Sequence, residues 1–273
     1  MKTAYATVAV ATAILGASLM VGERGASAGE TCTPVSPPAA TVVTGAQTIF
    51  AENFDNGFSQ WTSVQTHYYD GSAKDYSGKG YSLRTVNDGA GHETALRTEV
   101  RDGDTAKGSH ERAELSSYGK PWAANAGQDR WYEFDVKLGD SKTPWKTPKA
   151  WTIIAQWHAK NADGAPPVAL SVHSDNKVYF EMEADDKPRD PIPVWDVRPG
   201  QWEHLAIHIG WDSSPSKGFI ETFVNGQKVV ARTPIQTMYK GDTQGTYLKI
   251  GTYRRSSNTD TSVVFHDNLR ISG

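Results

Sequence analysis

Beyond residue 48, apolar and polar residues alternate with a period of two, punctuated by short clusters of Gly, Pro, Asp and Asn. A strand half-buried against a core shows this pattern, because successive side chains point to opposite faces. The clearest runs are WYEFDVKL (131–138), AWTIIAQWH (150–158), PVALSVH (167–173), KVYFEME (177–183), EHLAIHIGW (203–211), GFIETFVN (218–225), QKVVAR (227–232), TYLKIGTYR (246–254) and VVFHDNLRI (263–271). β-Branched and aromatic residues dominate them, and helical periodicity is almost absent. Asn225-Gly226 is a two-residue hairpin signal. Many short strands with regular turns predict an all-β fold, a β-sandwich or β-jelly roll. The early segment FAENFDNGFSQW and the closing VVFHDNLRI are expected to pair as neighbouring strands.

The first 47 residues follow another pattern. Lys2, a nearly unbroken apolar or small run over 4–21 and Ala26-Ser27-Ala28 have the layout of an export signal with a cleavage site, residues 1–28. The alternative weighed is a membrane anchor, for which the run is at the lower limit of length. Residues 29–47, rich in Pro, Thr, Ala and Gly, read as a flexible linker, leaving 48–273 as one catalytic domain. Cys32 is the only cysteine, so no intrachain disulfide can form. An exported, monomeric, extracellular protein is expected. The net charge of −3 supplies no global basic field, which argues against nucleic acid as a partner. A polyanionic ligand would have to be met by a local cationic cleft.

Three strand-like segments place proton-active groups on one face. Arg112 and Glu114 share a face in ERAEL (111–115), as do Gln156 and His158 in IIAQWH (153–158). In YLKIGTYR (247–254), Lys249 and Tyr253 share a face, with Gly251 leaving room between them. Ordinary solvated sheet faces also alternate. They usually carry Lys, Glu, Thr and Ser, whereas Arg, Gln, His, Lys and Tyr in this combination suit chemistry.

This ordered set, Arg112-Ala113-Glu114-Leu115, Gln156-Trp157-His158 and Tyr247-Leu248-Lys249-Ile250-Gly251-Thr252-Tyr253, resembles the jelly-roll polysaccharide lyases. Alginate lyases of that fold carry R-x-E-L, Q-x-H and Y-x-K-x-G-x-Y in the same order. With QWH, the upstream LRTEVRDGD (96–104) and the final GTYR, the chain looks closest to the heparin lyase I and glucuronan lyase group. Arg254 and Trp157 depart from the alginate lyase pattern. The resemblance implies an all-β jelly roll, a concanavalin-like sandwich of two antiparallel sheets with a concave substrate groove, and β-elimination on an acidic, uronate-containing polysaccharide, glucuronan-like first, then heparin-type, then alginate.

Elimination removes the C5 proton of a uronate and expels the oxygen at C4. It needs the sugar carboxylate neutralised and the enolate-like charge stabilised by preorganised donors. By family position, Arg112 and Gln156 neutralise, His158 assists and Tyr253 transfers protons. A phenol has an ordinary pKa near ~10 and needs neighbouring positive charge to ionise, which Lys249 is expected to supply. In β-1,4-linked D-glucuronate the C5 proton and C4 oxygen lie on the same side, so Tyr253 can serve as base and acid. With the opposite C5 configuration, His158 is the base and Tyr253 the acid. Both routes stay open at this point.

Glu114 is expected to orient Arg112. Arg97, Arg101, Arg254, Arg255, Lys146 and Trp145 are candidates to line substrate subsites, the last two in a loop (140–149) able to close over the glycan. The chemistry requires no cofactor. A structural calcium is a family-level expectation, with Glu52, Asp55 and Asp267 as its hard-oxygen candidates. His204 and His208 are read as face-filling residues. Two competing functions remain. A sandwich hydrolase needs a carboxylate pair such as E-x-D-x-x-E, and the nearest run, Glu133 to Leu138, ends in an apolar residue. A non-catalytic carbohydrate-binding module would explain the aromatics but not the paired polar motifs.

Overall fold

The computed structural model describes residues 46–273 except Lys79, Ala90, Lys107, Ser109, Ala162 and Asp163. The expected export signal, Cys32 and nearly all of the expected linker lie outside the described residues. The strands are β1 (Thr48–Glu52), β2 (Ser63–Gln65), β3 (Asp70–Ser72), β4 (Leu83–Val86), β5 (Ala95–Val100), β6 (His110–Ser116), β7 (Asp129–Leu138) and β8 (Thr152–Ala159). They continue as β9 (Val168–Val172), β10 (Lys177–Met182), β11 (Ile192–Asp196), β12 (Trp202–Gly210), β13 (Phe219–Val224), β14 (Gln227–Pro234), β15 (Thr246–Arg255) and β16 (Ser262–Ser272). Among the described residues the only helix is one 3-10 turn, Ala184–Asp186.

Two eight-stranded antiparallel sheets result. The first has the order β14-β13-β12-β7-β16-β5-β4, with β1 beside β16; the second runs β11-β10-β9-β8-β15-β6-β2-β3. This is the expected jelly-roll sandwich. The early and closing segments pair as anticipated, Glu52 opposite Leu269. Asn225 and Gly226 turn between β13 and β14 with φ of 50° and 77°, the left-handed pair that a tight hairpin demands.

Alternation sorts side chains between the core and the two outer faces. Phe134 and Val136 of β7, Leu205 and Ile207 of β12, and Leu248 and Ile250 of β15 are buried between the sheets. Each such side chain contributes roughly 1.5–3 kcal/mol by leaving water. Trp157 joins the sheets, its ring 5.1 Å from Tyr132 and 6.5 Å from Trp211. Its neighbours Gln156 and His158 therefore point out of the second sheet. A register shift between Ile250 and Tyr253 puts a bulge in β15 against β8, and Gly251 sits inside it with φ of 134°. A Cβ there would run into the carbonyl of Ala113 and the Cα of Glu114. Gly251 thus allows close backbone approach and a left-handed φ, which is a stronger requirement than space between Lys249 and Tyr253.

Candidate active site

Three adjacent strands of the second sheet, β6, β15 and β8, bring the motif residues together. In register, Tyr253 faces Arg112, Gly251 faces Glu114, Lys249 faces Gln156, and Tyr247 faces His158. Arg112, Gln156, His158, Lys249 and Tyr253 line one cleft of about 500 Å³ on the face turned away from the core.

Glu114 lies buried beneath this group and ties it together. One carboxylate oxygen accepts a short hydrogen bond from Gln156 Nε2. The other is 2.6 Å from Lys249 Nζ and 3.6 Å from Arg112 Nη1. The orienting role expected for Glu114 toward Arg112 therefore extends to an amide and an ammonium. Arg112 lays its guanidinium carbon 4.1 Å from the centre of the Tyr253 ring. Its Nε has no hydrogen-bond partner among the described residues. The cation beside the phenol is thus Arg112, which corrects the expectation for Lys249. Lys249 is spent on Glu114, and burial pushes its ammonium below the ordinary value, with Glu114 opposing.

The two proton-transfer candidates are pushed apart. Burial lowers the His158 pKa below 6.5, aided by the Lys249 charge, while the backbone carbonyls of Ala159 and Gly164 oppose the shift. Nδ1 is 2.9 Å from the Ala159 carbonyl, a contact in which that nitrogen carries the proton. Burial raises the Tyr253 phenol, with Arg112 pulling it back. A neutral imidazole and a protonated phenol face the same cleft.

Most of the remaining subsite candidates fall elsewhere. Arg254 is fully buried, because even-numbered residues of β15 face the core; it pairs with Glu111 at 2.8 Å and cannot touch a glycan. Arg97 is buried on the outer face of the first sheet, bound to Glu99 at 2.6 Å. Trp145 is buried too, donating to Asn176 Oδ1 at 3.2 Å, and anchors its loop where a sugar platform was expected. Lys146 and Arg255 are exposed and do not line the cleft. Arg101 covers the Tyr81 ring at 3.6 Å, and Tyr81 stacks on His67, which lines a neighbouring hollow shared with Arg112. Arg101 reaches the site only through two rings.

Glu52 and Asp267, the calcium candidates, face opposite sides of the first sheet. Asp267 bonds His92 at 3.1 Å on the outer face of the first sheet, whereas Glu52 points inward and accepts from the Phe54 amide at 2.8 Å. Among the described residues no group of three or more His, Cys, Asp or Glu could hold a metal ion. His204 and His208 sit on that same outer face, against Asp135 and Asp129 at 2.7 Å each.

Sequence reading missed several lining residues. Gln65, Trp151, Ser171, Glu181 and Tyr247 all border the cleft. Trp151 lies 5.2 Å from the Tyr253 ring. Burial pushes Tyr247 up to about 12. Alternation in KVYFEME and TYLK carried the signal for Glu181 and Tyr247; nothing local marked Trp151.

A jelly-roll sandwich with a polar, proton-active cleft on one outer face defines a carbohydrate-active enzyme. The chain belongs to the polysaccharide lyase family, whose model, described as "Polysaccharide lyase", matches residues 55–270. Its fold is similar to the crystal structure of an endo-β-1,4-glucuronan lyase from the fungus Trichoderma reesei, at 17% identity, 83% of this chain and 95% of that one, TM-score 0.62. It is also similar to a family 7 alginate lyase in complex with substrate, at 16% identity, 81% and 96% coverage, TM-score 0.56. A glycoside hydrolase family 131 catalytic domain from Coprinopsis cinerea shares the fold at 16% identity, 83% and 94% coverage, TM-score 0.54. These likenesses concern the fold, which hosts lyases and hydrolases alike. No curated protein sequence matches the chain. The enzyme is a polysaccharide lyase, and its substrate is a polysaccharide.

Proposed function

We propose that this lyase is a secreted monomer that cleaves a uronate-containing acidic polysaccharide by β-elimination, with glucuronate first among the rings to test at the reacting position. The observation that carries this reading is the Arg112 guanidinium against the Tyr253 ring, in a cleft with Gln156 and His158. The Arg112 guanidinium borders the cleft, and Gln156 retains a second amide hydrogen, so both can bind the sugar carboxylate. Binding there neutralises the carboxylate and makes the C5 proton removable. The base takes that proton, the C5 electron pair forms the C4=C5 double bond, and the C4–O bond breaks. The departing oxygen takes a proton from Tyr253.

Tyr253, held protonated by burial, is the donor in both routes. His158, held neutral, is the base where the C5 proton and C4 oxygen are on opposite sides. For D-glucuronate, with both on one side, the Tyr253 phenol first gives its proton to solvent; the phenolate, stabilised by the Arg112 charge, then takes the C5 proton and passes it to the C4 oxygen. Lys249 and Glu114 act through their neighbours, fixing Gln156 and Arg112. Export is supported by the apolar run over 4–21 and Ala26-Ser27-Ala28. Among the described residues no helix is long and apolar enough to cross a membrane.

A panel of uronate polymers, followed by the short-ultraviolet absorbance of the unsaturated uronate, tests the reading. Absorbance should rise with acidic polymers and stay flat with neutral glucans. New reducing ends without absorbance would instead identify hydrolysis. His158→Asn should abolish cleavage of polymers with the inverted C5 centre and spare most of the turnover of glucuronate polymers. Equal loss on both would remove the two-route assignment.

A further inference from the structure

We propose that the part of the cleft over β9 and β10 is a subsite for a sugar ring that carries hydroxyls and no carboxylate. This rests on the elimination reading above and narrows its substrate to polymers in which uronate alternates with an uncharged sugar. The charge along the sheet face changes sign. Arg112 and Lys249 stand on β6 and β15; Ile153, Gln156 and Ser171 on β8 and β9 are uncharged; Glu181 on β10 and Glu183 just past its end border the same cleft. Three inter-strand spacings, roughly 14 Å, separate β15 from β10. The Glu181 side chain is 22% exposed and is held by His173 Nε2. Carboxylates in that position repel a second uronate. They also accept hydrogen bonds from sugar hydroxyls, strengthened by their charge.

Ser171 points to a ligand independently. Ser171 borders the cleft, is 0% exposed, and its Oγ has no hydrogen-bond partner among the described residues. Buried hydroxyls in folded proteins are nearly always bonded. In register it lies between Ile153 and Tyr179. A ring hydroxyl entering between Ile153 and Glu181 would give Ser171 its missing partner, while Ile153 meets the apolar face of the ring. A homopolymer would place a carboxylate there instead.

Two measurements on the full protein test this. In the first, unsaturated ends are followed with β-1,4-glucuronan and with a polymer of 4-linked glucuronate alternating with N-acetylglucosamine. The alternating polymer should show kcat/KM about tenfold higher, and the Glu181→Gln/Glu183→Gln double variant should close that gap by raising glucuronan turnover. In the second, tryptophan fluorescence follows binding of uncharged cellotetraose, which should weaken about tenfold in Ser171→Ala. If glucuronan is preferred and neither variant moves its measurement, the subsite is wrong and the elimination reading stands. If no unsaturated ends form from either polymer but cellotetraose binding depends on Ser171, the subsite stands and the elimination reading falls. Neither turnover nor binding overturns both.

Discussion

The two outer faces of this sandwich carry the same kinds of side chain and arrange them oppositely. On the first sheet five imidazoles and cations of the outer face are each bonded to a carboxylate. His92 bonds Asp267, His204 bonds Asp135, His208 bonds Asp129, Lys137 bonds Asp88 and Arg97 bonds Glu99. Where β6, β15 and β8 of the second sheet meet, one carboxylate, Glu114, is divided among Arg112, Lys249 and Gln156. His158 meets backbone carbonyls, the Tyr247 ring and the charges of Lys249 and Glu114, and Tyr253 faces a guanidinium. The first face is largely internally paired. The second has donors left over, which the proposed uronate carboxylate would take up.

The largest effect should come from Tyr253→Phe. Removing one hydroxyl leaves the Arg112 stacking surface intact but takes away the proton that the leaving oxygen needs. Turnover is expected to fall by about 10²–10⁴-fold with KM little changed, read by absorbance under initial-rate conditions. Substantial residual turnover would mean that the cleft is no more reactive than the opposite face.

Glu114→Gln should come next. It leaves the buried Lys249 ammonium without its counter-charge and frees Gln156 and Arg112 to move. Breaking a buried pair from one side costs roughly 3–5 kcal/mol. Thermal unfolding should show a large drop in Tm together with lost activity. A variant with native Tm and lowered kcat would show that the Lys249 pair contributes little to stability and that Glu114 serves positioning alone.

Much of this contrast was legible in the residue pattern, within a definite limit. Alternation places Arg112 with Glu114, Gln156 with His158 and Lys249 with Tyr253, and the sheet honours each pairing. It also places Arg254 on the face opposite Tyr253, where the structure buries it. Alternation cannot say which sheet a strand joins. LRTEVR and HERAEL look alike, yet β5 enters the first sheet and β6 the second, so Arg97 and Arg112 end on opposite sides of the molecule. Nor does it reveal long-range fillers. Trp145 looked like a loop aromatic for stacking sugar, but the close packing of its backbone on Gly139 and its bond to Asn176 draw it inside.

A smaller effect should appear in the pH dependence. His158 is held below its ordinary 6.5 by burial, so its neutral form persists as pH falls past that value. For substrates that use it as base, kcat/KM should hold below 6.5 and then drop about tenfold per pH unit beneath the lowered pKa. His158→Asn should lose that limb along with the activity on those substrates. Stability follows the same sign. The unfolded chain takes up this proton near 6.5 and the folded protein does so only at lower pH, so stability declines as pH falls through that window. A limb lying above 6.5 would place the base elsewhere.

The smallest effect is expected on the opposite face. Asp129 bonds His208 at 2.7 Å, but its side chain is 61% exposed, so water and salt screen the pair. His208 also keeps Glu221 at 3.7 Å and a ring stacked on Trp131 at 4.3 Å. Asp129→Asn should therefore cost less than about 1 kcal/mol and leave turnover unchanged. A Tm loss matching that of Glu114→Gln would show that the first sheet's pairs depend on one another as the cleft residues do. The contrast between a closed face and an open one would then have to be abandoned.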